Sequence, residues 1–139
     1  MDQKLTGATR PMRILVVDDH QDNADTLTQL LQLYGHDVRF TTDPLRVLAI
    51  TVTWPPDLIF LDIAMPGQDG YAVARQLRAT PATAGTLLVA LTGHGMRKDV
   101  LEARLAGFDH HITKPMDPAQ IPSLLEMLAS RLPQRGGRR

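Results

Sequence analysis

Five polar residues sit where candidate strands of the chain end. Asp18 and Asp19 follow Ile14-Leu15-Val16-Val17, Asp62 follows Leu58-Ile59-Phe60-Leu61, Thr92 follows Leu87-Leu88-Val89-Ala90-Leu91, and Lys114 follows the segment Asp109–Thr113. Brought together, the three carboxylates would each repel a neighbour about 4 Å away by roughly 4 kcal/mol at an effective dielectric near 20. They need a cation. Hard oxygen ligands with room for water suit Mg²⁺, and the ammonium of Lys114 brings the formal charge of such a site to zero. A phosphoryl group entering it would meet a metal, an ammonium and the Thr92 hydroxyl, all able to take its oxygens.

The elements that must position these residues alternate between strand and helix. Strands are expected near Arg13–Val17, Asp37–Thr41, Leu58–Leu61, Thr86–Leu91 and Asp109–Thr113, with helices near Asp22–Tyr34, Pro44–Val52, Gly70–Ala79, Arg97–Ala106 and Pro118–Arg131. Strands separated by helical crossovers imply a parallel sheet. Asp43-Pro44 and Asp117-Pro118 place a capping carboxylate before a proline suited to a helix start, and Gly35 and Gly107 stand where helices end. Pro122 would remove an early backbone donor, so the regular part of the last helix is expected to begin after Pro118. Ala24, Leu27, Leu30, Leu31 and Tyr34 recur at helical spacing as one buried stripe.

The apolar runs of the first, third and fourth strands are continuous, as in strands covered on both faces. Val38 and Phe40 alternate with polar neighbours, and the fifth strand carries His110 and His111. The second and fifth strands therefore read as edges, giving a flavodoxin-like α/β fold, (βα)5, of order 2-1-3-4-5. In such a sheet the carboxyl ends of the strands share one edge, so Asp18, Asp19, Asp62, Thr92 and Lys114 converge there.

A chain of 139 residues suits one domain, placed at 12–131 between a flexible segment 1–11 and a basic tail 132–139. Lys+Arg 15 against Asp+Glu 15 gives no net charge to favour nucleic acid or an anionic membrane. With no cysteine, disulfides, thiolate catalysis and Cys-ligated zinc are excluded, which fits a cytoplasmic chain. No run approaches the roughly 18 apolar residues of a spanning helix.

Val16-Val17-Asp18-Asp19, Leu61-Asp62-Ile63-Ala64-Met65-Pro66-Gly67-Gln68-Asp69-Gly70, Leu91-Thr92-Gly93 and Thr113-Lys114-Pro115 together resemble the receiver domains of two-component response regulators. The resemblance covers about residues 12 to 131. It implies that Asp62 takes a phosphoryl group from a sensor histidine kinase or a histidine phosphotransfer protein. It further implies that Asp18, Asp19, Asp62 and the backbone carbonyl of Ala64 hold Mg²⁺, and that Thr92 and Lys114 bind the phosphoryl group. The Lys114-Pro115 peptide resembles the family's cis bond. The implied output is a protein partner bound through the fourth helix, fifth strand and fifth helix, with a homodimer left open and no nucleic acid or membrane.

His111 departs from the family. It stands where an aromatic usually turns inward with the switch threonine, and an imidazole changes charge between about pH 5 and 8, which would make the switch pH-dependent. His110 and His111, adjacent on a strand, point to opposite faces and do not chelate together. Ala64 and His94, two residues beyond Asp62 and Thr92, would flank the path of an attacking water. A phosphohydrolase of the haloacid-dehalogenase kind resembles this pattern, but it uses a second Asp two residues after the nucleophile, where this chain has Ala64. The phosphorylated state should therefore accumulate, in a signalling domain limited to its own phosphoryl transfer and slow autodephosphorylation.

Overall fold

A computed structural model describes residues 10–63, 69–93, 99–114 and 116–132. Five strands, β1 (Arg13–Val17), β2 (Asp37–Thr41), β3 (Leu58–Asp62), β4 (Leu87–Thr92) and β5 (His110–Thr113), form one parallel sheet of order β2-β1-β3-β4-β5. Between and after them run α1 (Gln21–Leu33), α2 (Val47–Thr53), α3 (Gly70–Ala79), α4 (Asp99–Ala106) and α5 (Ile121–Ser130). No helix among the described residues is long and apolar enough to cross a membrane.

The period of two in the strands divides the core. Ile14, Val16, Leu58, Phe60, Val89 and Leu91 face α1 and α5, meeting Ala24, Leu27, Leu31, Ile121, Leu125 and Leu128. Leu15, Val17, Ile59, Leu61, Leu88 and Ala90 face the other way, against Val47, Val73, Leu77, Ala103 and Phe108 of α2, α3, α4 and the turn after α4. The sheet is thus covered on both sides, which is why its interior strands carry no alternation.

Several helix ends follow their local chemistry. Asp43, Asp69 and Asp117 each accept a hydrogen bond from the backbone N–H two residues on. After Asp43 and Asp117 the chain first makes a short 3₁₀ turn, Pro44–Arg46 and Pro118–Gln120, before α2 and α5 begin. The continuous helix expected from Pro44 therefore starts three residues late, whereas the delayed start expected after Pro118 is what α5 shows. In the second case Pro122 lies in the first turn of α5, where its missing N–H costs nothing. Gly35 and Gly107 end α1 and α4 with φ of 92° and 112°.

Phe40 is 37% exposed while Val38 on the same face of the edge strand β2 is buried. One expectation needs correction: Asp109 is not in β5. Its Oδ2 accepts from the Leu88 N–H and from Arg78 Nη2, both at 2.8 Å, stitching the turn before β5 to the start of β4. Arg78 also donates to the carbonyls of Gly107, Ala84 and Thr86. Gly107 is needed there, since a Cβ would lie 2.7 Å from Arg78 Cγ. Arg78→Met removes a donor from four acceptors, of which Asp109 Oδ2 keeps the Leu88 N–H, and is expected to cost about 2–3 kcal/mol in urea unfolding. A change under half a kcal/mol would show that water replaces the guanidinium.

Candidate functional site

Pleat parity places the acidic residues. Asp18 continues the row Ile14-Val16, Asp62 the row Leu58-Phe60, and Lys114 follows Ile112, so all three emerge on the α1/α5 side at the carboxyl edge of the sheet, from β1, β3 and β5. The order β2-β1-β3 makes β1 and β3 neighbours at the point where the winding reverses, and ligands bind outside such a point.

Asp18 and Asp62 are almost fully buried, and Lys114 Nζ reaches both, 3.3 Å from Asp18 Oδ2 and 3.1 Å from Asp62 Oδ2. Burial by itself would lower the pKa of this ammonium. The hydrogen bond and charge of Asp62, then those of Asp18, outweigh it, and the pKa is held above the ordinary lysine value. Lys114 is accordingly charged at neutral pH. Its backbone N–H donates to the Thr92 carbonyl at 2.9 Å, which fixes the lysine's stem to the end of β4.

Asp19 lies at the mouth, with one oxygen, Oδ1, buried and without a hydrogen bond. The other oxygen of Asp18, Oδ1, accepts from the His20 N–H at 3.0 Å. The acidic pair does not cap α1, whose N-cap is His20 and has no side-chain hydrogen bond. One ligand atom from each of Asp18, Asp19, His20 and Asp62 lies within 4.8 Å of the others. A buried carboxylate oxygen with no donor, beside two buried carboxylates sharing one ammonium, fits a hard divalent cation.

Thr92 is buried but turned toward β5, its hydroxyl donating to the Ile112 carbonyl at 3.3 Å and lying 3.5 Å from Thr113 Oγ1. Its parity is opposite to that of Asp62, so it does not enter the acidic cluster in this conformation. His111 and His110 are both half-buried along the groove between β5 and α5, lined also by Ile112, Leu124 and Met127. Ala64, His94 and Pro115 lie outside the described residues. His20 is the site residue the sequence reading missed. Its place beside Asp18-Asp19 was the available signal.

Burial, then the charges of His111 and Arg131, lower the pKa of His110. The unfolded chain therefore takes up this proton first, and stability is lost as pH falls through the unfolded value near 6.5, levelling below the depressed folded one. Urea midpoints at pH 7.5 and 5.5 are expected to separate less in His110→Gln than in the wild type. Equal separations would remove His110 as a source of the acid sensitivity.

The model of the response regulator receiver domain matches residues 14–126. Over 125 residues the chain is 33% identical to the DNA-binding dual master transcriptional regulator RpaA of Synechocystis sp., with 88% of this chain and 52% of that protein covered. It therefore spans about half the length of that relative. It is 31% identical to an uncharacterised 14.6 kDa protein of Leptolyngbya boryana, covering 88% of this chain and 93% of the other. Among solved structures, the signal receiver domain of a signal transduction histidine kinase from Syntrophus aciditrophicus aligns with a TM-score of 0.77 at 29% identity, covering 92% of this chain and 93% of that one.

Proposed function

Because the chain belongs to the response regulator receiver domain family, we propose that it accepts a phosphoryl group on Asp62 and, once modified, switches a protein-binding face. The observation that carries this reading is the ammonium of Lys114 shared by two buried carboxylates, Asp62 and Asp18, at the switch point of the sheet.

An Asp62 carboxylate oxygen attacks the phosphorus of a phosphohistidine on a sensor kinase or phosphotransfer protein. The P–N bond breaks, the imidazole leaves with the bonding pair and takes a proton, and an acyl phosphate remains. Asp18, Asp19 and Asp62 are the side chains that would hold Mg²⁺, with the Ala64 carbonyl the fourth protein ligand the family resemblance implies. When bound, this ion offsets charge on the transferring group. Lys114 follows a charge that moves outward. It pairs with the Asp62 carboxylate before transfer and with a phosphoryl oxygen afterwards, a task suited to a point charge on a flexible stem.

The switch begins at Thr92. Its hydroxyl leaves the Ile112 carbonyl to donate to a phosphoryl oxygen, and His111 turns into the space this frees. The responsive face is α4, β5 and α5. Leu101 and Leu105, one turn apart on α4, are 65% and 77% exposed, which supports a protein partner there. The absence of net charge supports the same choice over nucleic acid, in a cytoplasmic chain. Incubation of the chain with acetyl phosphate and Mg²⁺ tests the reading: the intact mass rises by one phosphoryl group, and no rise overturns it.

A further inference from the structure

His20 joins β1 to α1, and the hydrogen bond from its backbone N–H to Asp18 Oδ1 sets the turn that carries its side chain over the acidic pair. Nδ1 lies 3.4 Å from Asp18 Oδ1 and 3.3 Å from Asp19 Oδ1. Two ligands held about 2.1 Å from one cation at right angles are about 3.0 Å apart, and about 4.2 Å when opposed. Both measured separations fall between these, as for neighbouring corners of a coordination shell. Asp19 Oδ1 is buried and accepts no hydrogen bond, so the nitrogen faces a carboxylate oxygen whose lone pairs are not taken by a donor.

Asp18 is divided between two neighbours. Lys114 holds Oδ2, while His20 approaches Oδ1 from the mouth. A cation can therefore take Asp18 Oδ1, Asp19 Oδ1 and His20 Nδ1 from the mouth, and it meets the ammonium as a competitor only at Asp62 and the far oxygen of Asp18. The His20 side chain is 66% exposed, so it can adjust to the ion as it binds.

An imidazole nitrogen changes which ion such a set prefers. Oxygen ligands alone suit Mg²⁺, whereas nitrogen adds affinity along the series Mn²⁺ < Fe²⁺ < Co²⁺ < Ni²⁺ < Cu²⁺ > Zn²⁺ and little for Mg²⁺. We infer that His20 is a specificity-determining ligand that opens the acidic site to borderline divalent cations of the nickel and zinc class, in competition with Mg²⁺. The inference rests on the metal site of the proposed function. It adds a control that the carboxylates alone do not supply, since loading of the receiver then depends on the ratio of these cations to Mg²⁺.

Calorimetric titration of the full chain with Mg²⁺ and with Ni²⁺ tests it. The chain has five histidines, so only the Ni²⁺ binding that excess Mg²⁺ displaces is counted. His20→Gln is expected to weaken that binding at least tenfold while the Mg²⁺ affinity stays within twofold. His20→Glu, which returns an oxygen to the position, is expected to tighten Mg²⁺ and leave Ni²⁺ weak. Unchanged displaceable Ni²⁺ binding in His20→Gln, or a parallel loss of both ions, overturns the role of His20. Failure of the wild-type chain to bind Mg²⁺ overturns the metal site itself, and with it this inference.

Discussion

Asp62→Asn is expected to fold normally and to gain no phosphoryl mass from acetyl phosphate and Mg²⁺, with incorporation down by at least about a thousandfold. Asparagine keeps the shape of the side chain and an oxygen that can accept from Lys114 Nζ, so the buried contact at 3.1 Å survives in weaker form. It lacks a nucleophilic oxygen, because the amide lone pair is delocalised and the carbonyl carries no charge to offer phosphorus. The other carboxylates do not stand in. Asp18 is engaged on both oxygens, by the His20 N–H and by Lys114, and Asp19 lies at the mouth of the cluster beside His20. Retention of the mass gain in the variant would move the acceptor away from Asp62 and sink the assignment.

Much of this site was legible because a parallel sheet converts sequence position into spatial position. The runs ending at Val17, Leu61 and Leu91 are apolar on both parities, which marked β1, β3 and β4 as interior and put their ends on one edge. Asp43 and Asp117 were readable for the same reason, since capping is settled within three residues of chain. The misses are long-range or depend on the extent of cover. Arg78 meets Gly107 and Asp109, 29 and 31 residues away, through contacts that carry no period. In α4 the small residues Ala103 and Ala106 are buried while Leu101 and Leu105 face out, so residue size there says nothing about which face meets the sheet. Thr92 was placed at the correct edge, yet its hydroxyl rotamer is set by the Ile112 carbonyl of a strand 20 residues on.

Lys114→Met is expected to make the stability of the fold depend on Mg²⁺ far more than it does in the wild type. At neutral pH the charged lysine offsets Asp62 and Asp18, which are 1% and 2% exposed and would otherwise face each other as like charges. Removing one partner of a fully buried ion pair costs about 3–5 kcal/mol, and the quarter-exposed lysine side chain reduces that to about 2–3 kcal/mol here. Methionine fills similar volume without charge, so the loss is electrostatic rather than a cavity. A divalent cation then becomes the sole counter-charge and also loses its competitor for Asp18 Oδ2 and Asp62 Oδ2. Ligand at a hundred times its dissociation constant stabilises by about 2.7 kcal/mol, and a tighter constant enlarges that term at the same concentration. Thermal melts in chelator should therefore place the variant well below the wild type, and added Mg²⁺ should close most of the gap. If Mg²⁺ raises the two midpoints equally, the ammonium and the metal do not compete for the same carboxylates.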